Sequence, residues 1–302
     1  MPAPSAPAVT GRFLTREQWQ SAQAEHEARV DRYVQPHLRR RERGEKHAVE
    51  DFLFEYYRVR PGQLRRWHPG AGIGLLDPDA SLHPSWKFYN GFSTVSVDLR
   101  TFLAARGGLV AHIRDLLAAT AQRTPTFGCF GLHEWAMVYR AADDRRHPAP
   151  LRLGASGTDE VVESMQVRCT HYDAFRFFTP QARPRNALTP TRDTQNDLEQ
   201  PGCLHAGMDL YRFSAELLPA TPSSLVMDCF EHAMRSRYLD MQASPYDLAY
   251  LDLAPIRIET PQGRAEYVAA QKTLADSAAE LRARLLAACT AMLDEVSGSP
   301  AT

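Results

Sequence analysis

The sequence predicts a mainly α-helical protein with a small β-sheet (α+β), folded as a single large domain. Hydrophobic residues occupy 44% and charged residues 24% of the 302 positions, which is the composition of a globular protein with a sizeable core. Segments with the apolar spacing of helices outnumber segments with the alternation of strands. The 21 prolines separate these segments, so we expect many loops.

The globular body is predicted to span residues 13–296. Residues 1–12 are rich in Pro, Ala and Ser, and residues 297–302 have a similar composition, so both ends are predicted to be disordered tails. A linker rich in Pro, Gly and Ser at 147–157 leaves open a weak subdivision of this domain.

The first half of the chain predicts helices around one short strand. Thr15 and Gln18 form a capping-box pattern, and Pro36 is the next helix breaker, so an exposed helix is expected from about residue 19 to 33. A second helix is expected over about 46–57. The stretch STVSVD predicts a short strand that leads into one or two helices, and GLHEWAMVYRAAD predicts a further helix.

The second half predicts short strands and a long connection. The aromatic-rich stretch VRCTHYDAFRFF (167–178) predicts a strand with Cys169, His171 and Asp173 on one face, and LRLG (151–154) could pair with it. IRIET (256–260) is a further candidate strand. The connection 183–202 is long for a compact protein, and loops of this length are often functional.

Three helices are expected to complete the fold. Two are predicted at about 203–218 and 223–241. Thr260 and Pro261 then begin a long C-terminal helix that reaches about Glu295, with the proline in the first turn, where its missing N–H is tolerated.

Charge and cysteine usage exclude several classes of protein. The net charge is −1, so no overall field attracts the chain to nucleic acid or to an anionic membrane. The sequence has no signal-peptide core and no apolar run of about 18 residues, which predicts a cytoplasmic protein without membrane association. Five widely spaced cysteines without a CxxC pair disfavour a disulfide framework and a zinc ribbon.

Histidine and carboxylate residues recur at a spacing of four, which places both on one helix face. His205 with Asp209 in PGCLHAGMDLY is one such pair. His47 with Asp51, and Asp228 with His232, are the others in helical sequence; Glu50 and Glu231 lie beside them. Helical enzymes use inward-facing residues of these types to bind metal. Surface ion pairs or hydrogen-bonded core histidines are the alternative.

Two further segments place polar groups next to aromatic ones. In FGCFGLHEWAMVYR a glycine-rich turn precedes His133, Glu134 and Trp135, which allows close approach of a ligand. In VRCTHYDAFRFF the buried polar face is costly unless it is hydrogen-bonded or used, and the other face offers Arg168 and Tyr172. Core packing is the alternative for both segments.

Seven segments spread over about residues 39–268 carry a family resemblance. They are RGEKHAVEDFLFEYY, QLRRWHPG, FGCFGLHEWAMVYR, VRCTHYDAFRFFTPQARPRN, EQPGCLHAGMDLY, VMDCFEHAMRSRYLDMQASPYDL and IETPQGRAEYV. On these segments the chain resembles a family of actinobacterial proteins commonly labelled 3-methyladenine DNA glycosylase. The hairpin of the helix-hairpin-helix glycosylases has no counterpart in the chain.

The resemblance implies hydrolysis of the N-glycosidic bond of an alkylated purine in DNA, with no required cofactor. A carboxylate would activate water or stabilise the sugar cation, and the extruded base would lie in an aromatic pocket. The candidate catalytic residues are Asp209, Asp173 and Glu134, with Asp228 as a further carboxylate. The candidate substrate-binding residues are Trp135, Tyr172, Arg168 and His205. The candidate phosphate contacts are Arg39, Arg40, Arg41, Arg43 and Lys46.

Two other functions remain open from the residues alone. One is a metal-dependent helical enzyme, an oxygenase or hydrolase acting on a small molecule, with iron, manganese or zinc as its cofactor. Its first candidate ligands are His133, His171, His205, Asp228 and His232; His47, Glu50, Glu134, Asp209 and Glu231 complete the set. The other is a partner-binding or regulatory protein whose polar core only fixes the fold.

Overall fold

The computed structural model describes residues 12–78, 81–141 and 149–297. This part of the chain is a mainly helical α+β domain with a small sheet, which confirms the predicted fold class. Of the predicted tails at 1–12 and 297–302, residues 1–11 and 298–302 lie outside the described residues, as does the start of the 147–157 linker, whereas residue 297 ends the C-terminal helix. Arg12, which the sequence places in the tail, is the first residue of a strand.

Eleven α-helices and four β-strands make up the described part of the chain. The helices are α1 (Arg16–Glu42), α2 (Phe52–Tyr56), α3 (Pro61–Leu64), α4 (Leu99–Ala121), α5 (Leu132–Ala136), α6 (Gly154–Ser164), α7 (Tyr172–Phe175), α8 (Gln195–Leu198), α9 (Leu204–Glu216), α10 (Ser223–Gln242) and α11 (Pro261–Ser297). The strands are β1 (Arg12–Leu14), β2 (Ile73–Leu76), β3 (Tyr89–Asn90) and β4 (Thr94–Val97).

The small sheet lies against the first helix. Its strand order is β1-β2-β4-β3; β1 pairs parallel to β2, and the other two pairings are antiparallel. Strand β4 is the strand predicted from STVSVD. Trp19 of α1 packs on Trp67 and Leu75, and its indole Nε1 donates to the carbonyl of Leu76 at 2.9 Å. This bond satisfies the buried indole and fixes the sheet on α1.

Helices α4, α9, α10 and α11 form the main core. The helices predicted at 203–218 and 223–241 and the long C-terminal helix are confirmed. Their facing apolar side chains, among them Phe102, Val110, Leu210, Phe230 and Leu285, are fully buried. Each such side chain contributes roughly 1.5–3 kcal/mol by leaving water, so this core holds the ends of α9 and α10 in place.

Helix α1 continues past the proline that was predicted to end it. Thr15 caps its start with the predicted capping box, but Pro36 lies inside the helix, which ends only at Glu42. A proline in a helix removes one N–H and crowds one carbonyl. The turn after Pro36 is held by tertiary bonds, because His37 and Arg40 contact Asp51 at 2.9 Å and 2.6 Å.

The helix predicted over 46–57 forms only in its last part, as α2. Local side-chain bonds hold the preceding residues in turns: the backbone N–H of His47 donates to Asp51 Oδ2 at 2.8 Å, and His47 Nδ1 accepts from the N–H of Val49 and of Glu50. Such bonds compete with the helical pattern, so the prediction was wrong for this half. Glu50 and Tyr238 then join the segment to α10 by a hydrogen bond of 3.0 Å.

The strand predicted at 167–178 is absent, and this prediction was wrong. The segment makes one isolated bridge, Val167 to Asn186, and then begins α7 at Tyr172. The Asn186 side chain accepts from the N–H of Cys169 at 2.7 Å and donates to its carbonyl at 2.9 Å, so it takes the place of a partner strand. The carbonyl of His171 accepts from the N–H of Phe175, which starts the helical turn.

The other two predicted strands are also wrong. Leu151 makes a single bridge to Tyr246 before α6 begins, and residues 256–260 form no strand but an irregular stretch with a turn at 258–259 ahead of α11. The helix predicted from GLHEWAMVYRAAD is present but short, because α5 ends at Ala136. None of the helices in the described part combines the length and apolarity needed to cross a membrane.

Candidate metal centre

Polar residues from distant segments meet at one end of the helical core. Within the described residues, two groups each bring three potential metal-ligand atoms within 4.8 Å of one another. The His171 group consists of His171, Glu199 and Asp209, and the His133 group consists of His133, His205 and Asp240. The two groups adjoin, since the rings of His171 and His205 stack with centroids 5.3 Å apart.

The His171 group is buried and incompletely hydrogen-bonded. His171 Nε2 lies 3.2 Å from Glu199 Oε1 and 3.4 Å from Asp209 Oδ2. Within the described part, neither ring nitrogen of His171 makes a hydrogen bond, although the side chain is only 1% exposed. Nε2 faces the two carboxylates at ion-pair distance, whereas Nδ1 has no such contact, and a buried nitrogen without a partner is costly.

Local structure explains how these three residues reach one point. His171 directly precedes α7, after the segment that Asn186 clamps. Glu199 follows α8 at the end of the long 183–202 connection. Asp209 lies in the middle of α9, on its buried side. The tight approach of α9 to α10 depends on Gly207, where a Cβ atom would lie 2.8 Å from His232 Nε2.

Charges in the His171 group are shifted by burial and by each other. Burial alone would lower the pKa of His171, but Glu199 and Asp209 outweigh it and raise this pKa. Burial raises the pKa of Glu199. For Asp209, burial works in the same upward direction, but the Arg212 guanidinium, bonded at 2.5 Å, and His171 hold its pKa well below the ordinary range. The two carboxylates therefore favour a positive charge at the His171 ring, which a proton or a bound cation can supply.

The His133 group is arranged differently, as a chain of hydrogen bonds. His133 Nε2 lies 2.7 Å from Asp240 Oδ1, and Arg237 donates to Asp240 Oδ2 at 2.8 Å. Arg237 also donates to Glu134 Oε1 at 2.6 Å, so one guanidinium joins both carboxylates. The other nitrogen of His133, Nδ1, lies 3.6 Å from the sulfur of Cys129.

The start of α5 positions this chain of hydrogen-bonded side chains. Gly131 has φ 74°, a conformation that glycine adopts without strain, and a Cβ at this position would lie 3.2 Å from Ala243. The backbone can therefore approach the end of α10, which brings His133 and Glu134 to Asp240 and Arg237.

Within this chain of hydrogen bonds, neighbouring groups shift one another's pKa values strongly. Burial opposes a charge on His133, but Asp240 outweighs burial and raises the pKa of His133 well above its usual value. His133 and Arg237 in turn hold the pKa of Asp240 below its usual range against the effect of burial. Burial and the neighbouring His133 lower the pKa of His205 well below its usual value. His205 is thus a neutral imidazole, the form that binds metal or accepts a proton.

Two cavities meet at His205. The larger, of about 870 Å³, is lined by charged and aromatic side chains that include Tyr56, Glu134 and Asp173. The smaller, of about 350 Å³, is lined by His133 and by three cysteines, Cys129, Cys169 and Cys203. His205 lines both cavities, and its ring stacks on that of His171, so it joins both spaces to the His171 group.

The structure brings most of the predicted site residues into this region. His133, His171, His205 and Asp209 belong to the two groups. Glu134 and Asp173 line the larger cavity, where Asp173 pairs with Arg176 at 2.7 Å. Arg168 is exposed at the smaller cavity and contacts Gln166.

Other predicted residues lie elsewhere. Trp135 is fully buried, donates to the carbonyl of Ala243 at 2.8 Å and lines neither cavity, so the expected stacking on a ligand is corrected to a core role. Tyr172 also lines neither cavity and lies under the Arg192 guanidinium. Asp228 pairs with Arg29 and Arg284, at about 2.8 Å each.

The remaining candidate metal ligands and candidate phosphate contacts lie outside the two groups. His232 is buried against Gly207 and Ser236, outside both groups. Glu231 is bonded to Arg29 on another face of α10. Of the basic residues before α2, Arg40 is bonded to Glu50 and Asp51, which takes it away from the phosphate contacts expected of it. Arg39, Arg41, Arg43 and Lys46 are exposed.

Sequence reasoning missed two carboxylates of the site. Glu199 lies in the connection whose length was a general signal of function, but nothing marked this residue. Asp240 contacts His133, which lies 107 positions away in the sequence. The nearest local pattern that could have marked Asp240 was its spacing of three from Arg237. Both contacts arise from packing between distant segments.

Comparison of the chain with models of protein families, with curated protein sequences and with solved structures gave no match. The two groups and the two cavities are thus the features that bear on function.

Proposed function

We propose that this chain is a metal-dependent enzyme that acts on a small molecule, with the metal held by His171, Glu199 and Asp209. The observation that carries the proposal is a fully buried histidine whose Nδ1 has no hydrogen bond within the described residues and whose Nε2 lies 3.2 Å and 3.4 Å from two carboxylates. A divalent cation between the three side chains would take the place of the proton that the carboxylates favour on the imidazole, bound by one ring nitrogen and two carboxylate oxygens.

The chemistry of the donor set fits a first-row divalent metal. One imidazole and two carboxylates suit iron, manganese or zinc, whereas calcium prefers an all-oxygen shell. Arg212 and the side-chain amide of Gln195, which donates to Glu199 at 2.5 Å, hold the carboxylates in place. Such supporting bonds orient ligands at metal sites.

The larger cavity supports a small organic substrate. Its volume of about 870 Å³ is that of a small-molecule site, and it carries both charged and aromatic side chains. His205 lies between this cavity and the His171 group, in its neutral form. We assign His205 the role of contacting substrate, because a neutral imidazole offers one nitrogen as a hydrogen-bond donor and the other as an acceptor.

The first test is the metal content of freshly purified protein, measured by inductively coupled plasma mass spectrometry. We expect about one equivalent of iron, manganese or zinc per chain, and a loss of at least tenfold in His171→Ala and Asp209→Asn. Asp228→Asn is the matched control, since this carboxylate lies outside both groups. Its metal content should equal that of the wild type.

Activity provides the second readout. Incubation with a metabolite extract, followed by mass spectrometry, should show a compound consumed by the wild type and untouched by His171→Ala. Removal of metal by a chelator should abolish the turnover, and its return should restore it. A metal-free protein with unchanged turnover after chelation contradicts the proposal.

A second proposal, hydrolysis of an N-glycosidic bond in alkylated DNA, draws support from the larger cavity. The cavity combines the carboxylate of Asp173 with the aromatic rings of Tyr56 and Phe177, and the exposed Lys46 and Arg58 also line it. These are the parts needed to hold an extruded base and to stabilise a sugar cation.

Release of base from methylated DNA tests this second proposal. We expect release by the wild type, little release by Asp173→Asn, and full release by Asp228→Asn. Chelation should leave this reaction unchanged, which separates it from metal chemistry. No release under conditions where a control glycosylase acts would rule it out.

A further inference from the structure

We propose that the smaller cavity is a second metal site, one that binds a thiophilic cation through Cys129, Cys203 and the Nδ1 atom of His133. The donors differ in kind from the His171 group, which offers no sulfur. This inference does not depend on the proposed function, because it concerns other side chains and another cavity.

The orientation of His133 is the first observation. Its Nε2 is bonded to Asp240 at 2.7 Å, and Asp240 is itself fixed by Arg237. Histidine ligands in proteins typically have one nitrogen on a carboxylate and the other on the metal. In His133 the other nitrogen lies 3.6 Å from the Cys129 sulfur, so the ring is oriented as a ligand that faces a thiol.

The grouping of cysteines is the second observation. Three of the five cysteines, Cys129, Cys169 and Cys203, line this one cavity together with His133. All five cysteines are free thiols. The other two, Cys229 and Cys289, pack in the main helical core.

An unpaired polar group also faces the cavity. Gln271 is 2% exposed and lines the space, and its Oε1 accepts no hydrogen bond within the described residues, while its Nε2 donates to the carbonyl of Gly202 at 2.7 Å. An oriented acceptor of this kind fits a water bound to a metal, or a small ligand with an N–H or O–H group.

Thiolate and imidazole donors select zinc or a similar cation over magnesium or calcium. Cys129, Cys203 and the Nδ1 atom of His133 each lose a proton to solvent as their bonds to the metal form. The two thiols and the His133 nitrogen do not form a group whose ligand atoms all lie within 4.8 Å of one another. Binding therefore requires rotation of these cysteines about χ1, and the cavity of about 350 Å³ leaves room for it. The fourth position then remains open to the cavity.

Cobalt titration of the metal-free protein tests the site. Co²⁺ bound to thiolate gives an intense sulfur-to-metal absorption in the near ultraviolet, which a site of imidazole and carboxylate does not give. We expect this absorption to saturate at about one equivalent and to be displaced by Zn²⁺. It should be lost in Cys129→Ser and Cys203→Ser and kept in the matched controls Cys229→Ser and Cys289→Ser.

His171→Ala should keep this absorption, which separates the thiol site from the proposed catalytic metal. As an independent readout, Zn²⁺ should protect Cys129 and Cys203 from alkylation, as measured by peptide mass spectrometry, and should not change the labelling of Cys289. Absence of the absorption in folded wild-type protein, or its persistence in both Cys129→Ser and Cys203→Ser, would overturn the inference.

Discussion

At the residue scale, two arginines with the same burial have opposite surroundings. Arg237 and Arg282 are each 1% exposed. Arg237 bonds Glu134 and Asp240 and lies over the ring of Phe52 at 4.1 Å. Arg282 makes no hydrogen bond through Nε or Nη2 within the described residues, and burial lowers its pKa.

We expect the two residues to respond in opposite ways to replacement by methionine. Arg237→Met leaves two buried carboxylates without their cation and should lower the free energy of unfolding by about 3–5 kcal/mol. Arg282→Met removes a poorly paired buried cation and should be neutral or stabilising by about 1 kcal/mol. Urea denaturation at pH 7 measures both. Equal losses would show that Arg282 has partners of comparable strength.

The sequence predicted most of the site at this scale, residue by residue. His205 and Asp209 were named from their spacing of four, His133 from the glycine-rich turn before it, and His171 because a buried polar face is costly unless used. Their partners Glu199 and Asp240 were missed, since pairing between distant segments leaves no local pattern. The family resemblance implied stacking of Trp135 on a ligand, with core packing as the alternative, and the indole bonds a backbone carbonyl in the core.

At the element scale, the spacing between α9 and α10 depends on one missing side chain. Gly207 lies on α9 between two site residues, and a Cβ here would meet His232 Nε2 at 2.8 Å and Ala278 Cβ at 3.4 Å. His232 is buried and cannot move into solvent. The close contact of these helices therefore sets the positions of His205 and Asp209.

Gly207→Ala should destabilise the protein despite the higher helix propensity of alanine. We expect overpacking to cost about 1–3 kcal/mol, measured as the free energy of unfolding, and metal content to fall with it. Gly108→Ala in α4 is the matched control, because nothing lies within 4 Å of its Cβ position. This variant should gain up to about 1 kcal/mol from propensity. An increase in the free energy of unfolding of both variants would mean that α9 and α10 can move apart without cost.

Elements with long, regular patterns were predictable, and short ones were not. Helices α9, α10 and α11 follow from apolar periodicity and from the Thr260-Pro261 start. The stretch 167–178 alternates as a strand does, but Asn186 supplies the backbone partners that a neighbouring strand would have supplied. Nothing in the local sequence announces such a replacement.

At the scale of the whole molecule, neutral buried histidines make stability depend on pH. His26, His68 and His83 lie around the sheet, and burial lowers the pKa of each. For His68, burial and the nearby His83 lower the pKa from 6.5 to about 3. Its ring also bonds the hydroxyl of Tyr89 at 2.9 Å.

The sign of the effect follows from proton binding. Between pH 6.5 and about 3 the unfolded chain binds a proton at His68 that the folded protein excludes. This contribution to stability is therefore fully present above pH 6.5 and is lost as pH falls, at about 1.4 kcal/mol per pH unit for a single group. His68→Asn should have a shallower dependence of unfolding free energy between pH 6 and 5, measured by urea denaturation. An identical slope would contradict the assignment.

The position of His205 has a consequence for ligands that bind in the two cavities. Because one imidazole lines both spaces, an occupant of the larger cavity and an occupant of the smaller one contact the same ring. Where one occupant shifts this ring, the two affinities are coupled, and the factor by which the first ligand changes the affinity for the second equals the factor in the reverse direction. In His205→Ala this coupling should disappear, because the two spaces would no longer share a side chain that one ligand can move against the other.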